Sequence, residues 1–154
     1  MDNEKEIQQL KAKIANYELV IHELSAPIIP SLFEDTILVP IAGPIGHNRL
    51  KSIRNRVLDY CADHRDTNCA IFDFTGVDMK DLELLDFNTF TIGTSQLNST
   101  LKLMGIRPIY VGFNIQLVRE IVQAGIHDEI ETYANFNTAL AILFNSNDKS
   151  LHSI

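Results

Sequence analysis

The stretch Cys69-Ala70-Ile71-Phe72-Asp73-Phe74 constrains the fold of this chain more than any other: its apolar residues follow one another without alternation. A strand that faces water on one side alternates apolar and polar residues, whereas one that is apolar at consecutive positions is buried on both faces. Such a strand needs helices to cover it, and the sequence around it supplies them. Leu50, Ile53, Val57 and Tyr60 share one helical face and predict a helix from His47 to about Asp63. After the strand, a loop from Thr75 to Asp81 leads into a long predicted helix that reaches about Met104, with Asp81 placed to cap it. Arg107 to Val111 is the next strand. Asn114 and Gly125 start and stop a further helix, Glu129 to Tyr133 reads as a last strand, and Asn135 caps a helix through Phe144. Strands alternating with helices predict a mixed, mostly parallel α/β sheet of about five strands with about four helices and right-handed crossovers.

Pro27 and Pro30 divide this region from what precedes it, because proline lacks an amide donor and pushes its predecessor toward extended geometry. Ile28 to Leu32 and Thr36 to Ile41 then read as two strands around a turn at Phe33-Glu34-Asp35, which gives the sheet an antiparallel edge. The segment before the prolines has no Gly or Pro, and Ile7, Leu10, Ile14, Tyr17, Ile21 and Leu24 recur at alternating intervals of three and four. That spacing is the seam of a coiled coil, with isoleucine at a and mainly leucine at d, a combination that favours two parallel strands. In a parallel homodimer the flanking charges also match, Glu6 facing Lys11 and Lys13 facing Glu18 of the second copy. The alternative is an amphipathic helix lying on its own domain. The expected organisation is a coiled-coil linker helix over residues 1–24, a domain over 25–144 and a flexible tail over 145–154.

At 154 residues and 17.4 kDa the chain suits one ordinary domain with a small addition, and 45% hydrophobic residues suffice for a packed core. Its 13 basic against 20 acidic residues give a net charge of −7, which disfavours binding a duplex nucleic acid. No apolar run has the length of a membrane span, and the start Met1-Asp2-Asn3-Glu4 lacks a signal-peptide plan, so a cytoplasmic protein without membrane contact is expected. Cys61 and Cys69 cannot make a disulfide framework or a four-thiolate metal site.

Ligands of open α/β sheets gather at the carboxyl ends of strands, which singles out the loop Thr75-Gly76-Val77-Asp78-Met79-Lys80-Asp81 after Phe74. Three stretches carry a resemblance: Leu24-Ser25-Ala26-Pro27-Ile28-Ile29-Pro30, Ile71-Phe72-Asp73-Phe74-Thr75-Gly76-Val77, and Ile121-Val122-Gln123-Ala124-Gly125-Ile126. With them the chain, over roughly residues 24–144, resembles the STAS domains of anti-sigma-factor antagonists, most closely the RsbR-type proteins of the bacterial stressosome. The resemblance implies a STAS fold and a scaffold that regulates stress signalling through other STAS proteins and a switch Ser/Thr kinase. It also implies a preceding helix that joins a sensor domain, here expected to be absent or reduced to a coiled-coil stub. In that family a Ser or Thr follows an Asp at the start of the long helix and accepts phosphate; the pair here is Asp81-Leu82. A second acceptor, a Thr at the start of the preceding helix, corresponds to Gly46-His47. Neither Leu82 nor His47 offers a hydroxyl to such a kinase. The family's Arg-Pro-Glu is also replaced by Phe113-Asn114-Ile115. The partner-binding loop implied by the resemblance contains Thr75, Gly76, Asp78, Lys80 and Asp81.

Other constellations are weaker. Asp73, Asp78 and Asp81 would suit a magnesium-binding receiver only with an acidic pair after the first parallel strand and a lysine after the last, and both are missing. Cys61 and His64 lie one helical turn apart near Cys69, but no fourth metal ligand and no oxyanion signature accompany them. Gly43 to Gly46 lacks a phosphate-binding fingerprint. A non-enzymatic protein without metal or cofactor is therefore expected. The alternative is a small-ligand or nucleotide sensor using Gly76 to Asp81, or Gly43 to Gly46, as an anion-accepting helix start.

Overall fold

Side chains leave a strand alternately to its two faces, so a doubly buried strand requires two separate cores. The computed structural model describes residues 2–25, 27–30 and 35–152, with side chains over 2–14, 27–30 and 35–145. Within them the elements are α1 (Asp2–Ser25), β1 (Ile29–Pro30), β2 (Thr36–Ala42), α2 (His47–Asp63), β3 (Cys69–Gly76), a 3₁₀ turn (Met79–Leu82), α3 (Phe87–Leu103), β4 (Arg107–Val111), α4 (Ile115–Gln123), β5 (Glu131–Tyr133) and α5 (Phe136–His152). The sheet runs β1-β2-β3-β4-β5, with β1 antiparallel to β2 and the remaining neighbours parallel. The expected mixed, mostly parallel α/β sheet is therefore present, antiparallel edge included.

The two cores follow the pleat of β3 and β4. Ala70, Phe72, Phe74 and Tyr110 face one way and pack against Ile53 and Val57 of α2, Phe90 and Leu97 of α3, and Leu117 and Ile121 of α4. Cys69, Ile71, Ile109 and Val111 face the other way and meet Ala139 and Leu143 of α5. Register places Phe72 opposite Tyr110, and their rings stack with centroids 5.3 Å apart. One larger and one smaller core thus hold the sheet from both sides, as the nearly all-apolar run of β3 requires.

Several boundaries differ from the sequence expectation, each for a local reason. The long helix begins at Phe87, and its cap is Asp86, whose carboxylate accepts from the Asn88 amide at 3.0 Å. Asp81 instead belongs to the separate 3₁₀ turn. Leu85 and Phe90 are core residues, whereas Leu84 is exposed. β5 begins at Glu131 because Glu129 is bound to α3: its carbonyl accepts from Asn98 Nδ2 and Lys102 Nζ, both at 3.1 Å, and its carboxylate from Ser95. α5 is capped by Asn135, as expected, and continues to His152, through residues read as tail. β1 is described over Ile29–Pro30; Ser31 and Leu32 of the expected strand and Phe33 and Glu34 of the expected turn lie outside the described residues, and Asp35 has φ 53°.

Candidate functional site

Three turns leave the carboxyl ends of neighbouring strands, and backbone hydrogen bonds fasten them into one surface. The Gly43 amide, after β2, donates to the Gly76 carbonyl at 3.1 Å, and the Ile45 amide donates to the Asp81 carbonyl at 3.1 Å. Asn114, at the start of α4, accepts from the Leu117 amide through Oδ1 at 3.0 Å. Its Nδ2 donates to the Val77 carbonyl at 3.3 Å. The entries to α2, to the 3₁₀ turn and to α4 therefore share one edge. Leu82 and His47, the residues expected at the two acceptor positions, lie close along the chain to the bonded pair Asp81 and Ile45.

Close backbone approach shapes this edge. Gly112 follows β4 with φ 75°, and a Cβ there would lie 2.7 Å from the Thr75 amide nitrogen. A Cβ on Gly76 would stand 2.6 Å from that of Ala42. Only glycine lets these strand ends come so near. Thr75 donates to Asp73 Oδ1 twice, through its amide at 2.9 Å and its hydroxyl at 2.5 Å. Asp73 is thereby engaged at the end of its strand.

The loop residues take distinct places. Thr75, Gly76, Asp78 and Lys80 are exposed and Asp81 is half-buried. The Asp78 amide donates to Asp81 Oδ2 at 2.8 Å, closing the 3₁₀ turn. Leu82 points into the larger core, whereas Met79 and Leu84 are exposed on either side of it. His47 is the first residue of α2 and exposed. Within the same helix Arg49 donates to the Pro44 carbonyl at 2.8 Å. Burial pulls the guanidinium pKa of Arg49 down, and the negative charge of Asp81 acts against that pull.

Anion capture by these turns finds few open donors. The amides of Gly43, Ile45 and Asp78 already serve Gly76, Asp81 and the Asp81 carboxylate. The cysteines are no better placed for chemistry. Both are buried free thiols, burial pushes both upward, and Cys69 reaches about 11 although Arg107 opposes the shift. A thiol in that state is not a nucleophile near neutral pH. His64 stacks on Tyr60 with ring centroids 3.9 Å apart, and its Nδ1 lies 2.9 Å from the Tyr60 carbonyl.

The expected coiled-coil seam lies only in part within the described residues. α1 is helical as expected, and Ile7, Leu10 and Ile14 are 52%, 58% and 55% exposed. The side chains of Tyr17, Ile21 and Leu24 lie outside the described residues. No helix among the described residues is long and apolar enough to cross a membrane.

Two features escaped the sequence pattern. Arg107 and Glu131 pair in a bidentate ion pair across β4 and β5, Nε to Oε1 at 2.7 Å and Nη2 to Oε2 at 2.5 Å. A cavity of about 270 Å³ opens between α2 and α3. Gly93 in the interior of α3 was the available hint of it, since glycine there weakens a helix without serving a turn.

No family model matches the sequence. RsbT co-antagonist protein RsbRA of Bacillus subtilis (strain 168) is 28% identical over 109 residues, 71% of this chain and 37% of that protein. RsbT co-antagonist protein RsbRB of the same organism is 33% identical over 119 residues, 77% of this chain and 39% of that protein. The chain spans less than two-fifths of the length of these relatives. Among solved structures, a variant of RsbS from Moorella thermoacetica has a TM-score of 0.63 at 16% identity, covering 80% of this chain and 97% of that one. A chain of the structure described as the molecular architecture of the stressosome, a signal integration and transduction hub, has a TM-score of 0.58 at 16% identity, covering 79% and 98%. At such identities the structures speak for the fold.

Proposed function

The chain carries an RsbR-like STAS domain, and from that premise we propose that it is a non-enzymatic scaffold of a stressosome or anti-sigma-factor antagonist system. It docks on other STAS proteins through the edge formed by the three fastened turns. There it stays in one state, because a switch Ser/Thr kinase finds no acceptor at Leu82 or His47. The observation that carries this reading is the arrangement around Leu82. The side chain at the acceptor-equivalent position is 5% exposed and packs into the core, while Leu84, two residues on, is 86% exposed. The edge therefore presents apolar contact area where phosphate would add a charge of about −2 beside Asp78 and Glu83. Ile115, Val118 and Val122 add an exposed stripe on α4, whose first turn Asn114 ties to Val77. Such a stripe suits a protein surface better than solvent.

The exposed seam of α1 supports pairing of two copies. Ile7, Leu10 and Ile14 are more than half exposed in the single chain, which favours a partner helix over burial on their own domain. A parallel partner helix would bury them. The domain then follows the coiled coil at residue 25, and the protein acts in the cytoplasm without metal, cofactor, membrane or nucleic acid.

Size-exclusion chromatography with light scattering is expected to give a dimer or larger assembly, converted to monomer by Ile14→Asp. A wild-type monomer at micromolar concentration would defeat the pairing. Incubated with the switch kinase of its own system and ATP, the wild-type chain should take up little phosphate. Stoichiometric labelling, with Thr75 as the first position to map, would defeat the unswitched state.

A further inference from the structure

We propose that the cavity between α2 and α3 binds a small amphipathic anion, an aliphatic or aromatic body carrying one acidic head group. His47 borders both this cavity and the docking edge, but the proposal does not depend on the reading given for that edge. Protein interiors are close-packed, and an apolar space left open forfeits contacts on every wall. Here the walls are Ile53 from α2, Phe72 and Phe74 from the sheet, and Phe90 and Leu97 from α3, all buried. A space of about 270 Å³ stands at the small end of ligand pockets, which suits a compact body rather than a dinucleotide.

Two polar features give the occupant its chemistry. Tyr110 is one of the lining residues, 2% exposed, and its hydroxyl has no hydrogen-bond partner among the described residues. A buried hydroxyl without a partner is costly, and folded proteins seldom leave one so. The lining also contains Lys51 and Arg54 but no Asp or Glu, in a chain whose net charge is −7. Neither of those two cations enters an ion pair among the described residues. Lys51 is exposed and Arg54 half-buried, so a head group at the mouth meets positive charge while the body passes inward among the rings.

Gly93 lines the same space. A Cβ there would lie 3.5 Å from Arg54 Nη1, an ordinary contact, and its backbone is that of any helical residue. Nothing in the helix itself requires glycine at this place; what its missing side chain does is keep the opening beside Arg54 clear.

Sodium octanoate and phenyl phosphate are the probes, with octanol and inorganic phosphate as controls, titrated into the full-length chain and followed by amide chemical shifts. Saturable shifts of α2 and α3 with one or both acids are expected, at least about tenfold tighter than with either control. Octanoate alone would assign a carboxylate head, phenyl phosphate alone a phosphate, and both a general anion site. The double substitution of Lys51→Ala and Arg54→Ala should weaken binding by more than about tenfold and abolish its salt dependence. Tyr110→Phe should weaken it severalfold while leaving the free chain as stable as before or more so, an outcome no merely structural tyrosine hydroxyl would give. Gly93→Leu, folded by its amide spectrum, should block the site. Absence of saturable shifts with both acids, octanol binding as tightly as octanoate, or undiminished binding in folded Gly93→Leu would each overturn the proposal.

Discussion

The Asp78 amide donates to the Asp81 carboxylate at 2.8 Å, and the Asp81 amide donates to the Asp78 carbonyl at 3.1 Å, so the turn that bears Leu82 is closed from both sides. Its position is fixed again by the Ile45 amide on the Asp81 carbonyl. Removal of the carboxylate in Asp81→Ala leaves the Asp78 donor without this partner, and a loss of about 1 kcal/mol is expected. Hydrogen exchange should quicken through Asp78 to Leu82 and stay unchanged in α3, whose cap is Asp86. Faster exchange in the first turn of α3 instead would show that Asp81 caps the long helix after all.

Leu82 and Leu84 make a matched pair for testing which side of the turn belongs to the core. Leu82→Ser removes a buried side chain from a cluster that includes Leu85 and Phe90, and it should cost about 2–4 kcal/mol by urea denaturation. Leu84→Ser changes an exposed residue and should stay within about 0.5 kcal/mol of wild type. Equal costs would mean that the turn is seated differently. The same pair serves the functional reading: Leu84→Ser should weaken association with other STAS proteins without loss of fold.

Gly112 and Gly105 both have positive φ, 75° and 81°, yet only Gly112 has a crowded surrounding. Alanine in the left-handed region costs about 1–2 kcal/mol by its backbone alone. At Gly105, where nothing lies within 4 Å of a Cβ, that should be the whole loss. At Gly112 the Cβ would also meet the Thr75 backbone, so Gly112→Ala should cost clearly more than Gly105→Ala in the same denaturation series. A smaller loss at Gly112 would contradict the close approach of β4 to the site loop.

These elements also show what a one-dimensional pattern can reach. The doubly buried strand at Cys69 was readable because burial on both faces leaves its mark on consecutive residues. Asn114 and Asn135 were readable as caps because each side chain bonds an amide three residues on, at Leu117 and Thr138. Asp81 was misassigned because Asp78, Asp81 and Asp86 are locally equivalent caps, and the choice among them falls to the burial of Leu82 and Leu85. The start of β5 was misplaced because Glu129 is held by Ser95, Asn98 and Lys102, some thirty residues away along the chain. The cavity beside Tyr110 exists only once α2 and α3 meet over strands β2, β3 and β4.

The pairing of Arg107 with Glu131 gives the fold a measurable dependence on acid. Burial raises the Glu131 carboxyl, but hydrogen bonds from Arg107 and Tyr133 and the charge of Arg107 outweigh it and hold the group below its usual range. In the window between the folded and unfolded values, the unfolded chain binds a proton that the folded chain does not. Stability from this pair is therefore fully present above the unfolded value of about 4.3 and is lost as pH falls through the folded one. The side chains are 43% and 27% exposed, so solvent screening limits the contribution to about 1 kcal/mol or less. Glu131→Gln should be less stable than wild type by that amount at pH 7, and the gap in urea midpoint should narrow toward pH 3 as wild-type Glu131 takes up its proton. A gap that stays constant from neutral pH into acid would mean that the β4–β5 edge is held by packing and not by this charge.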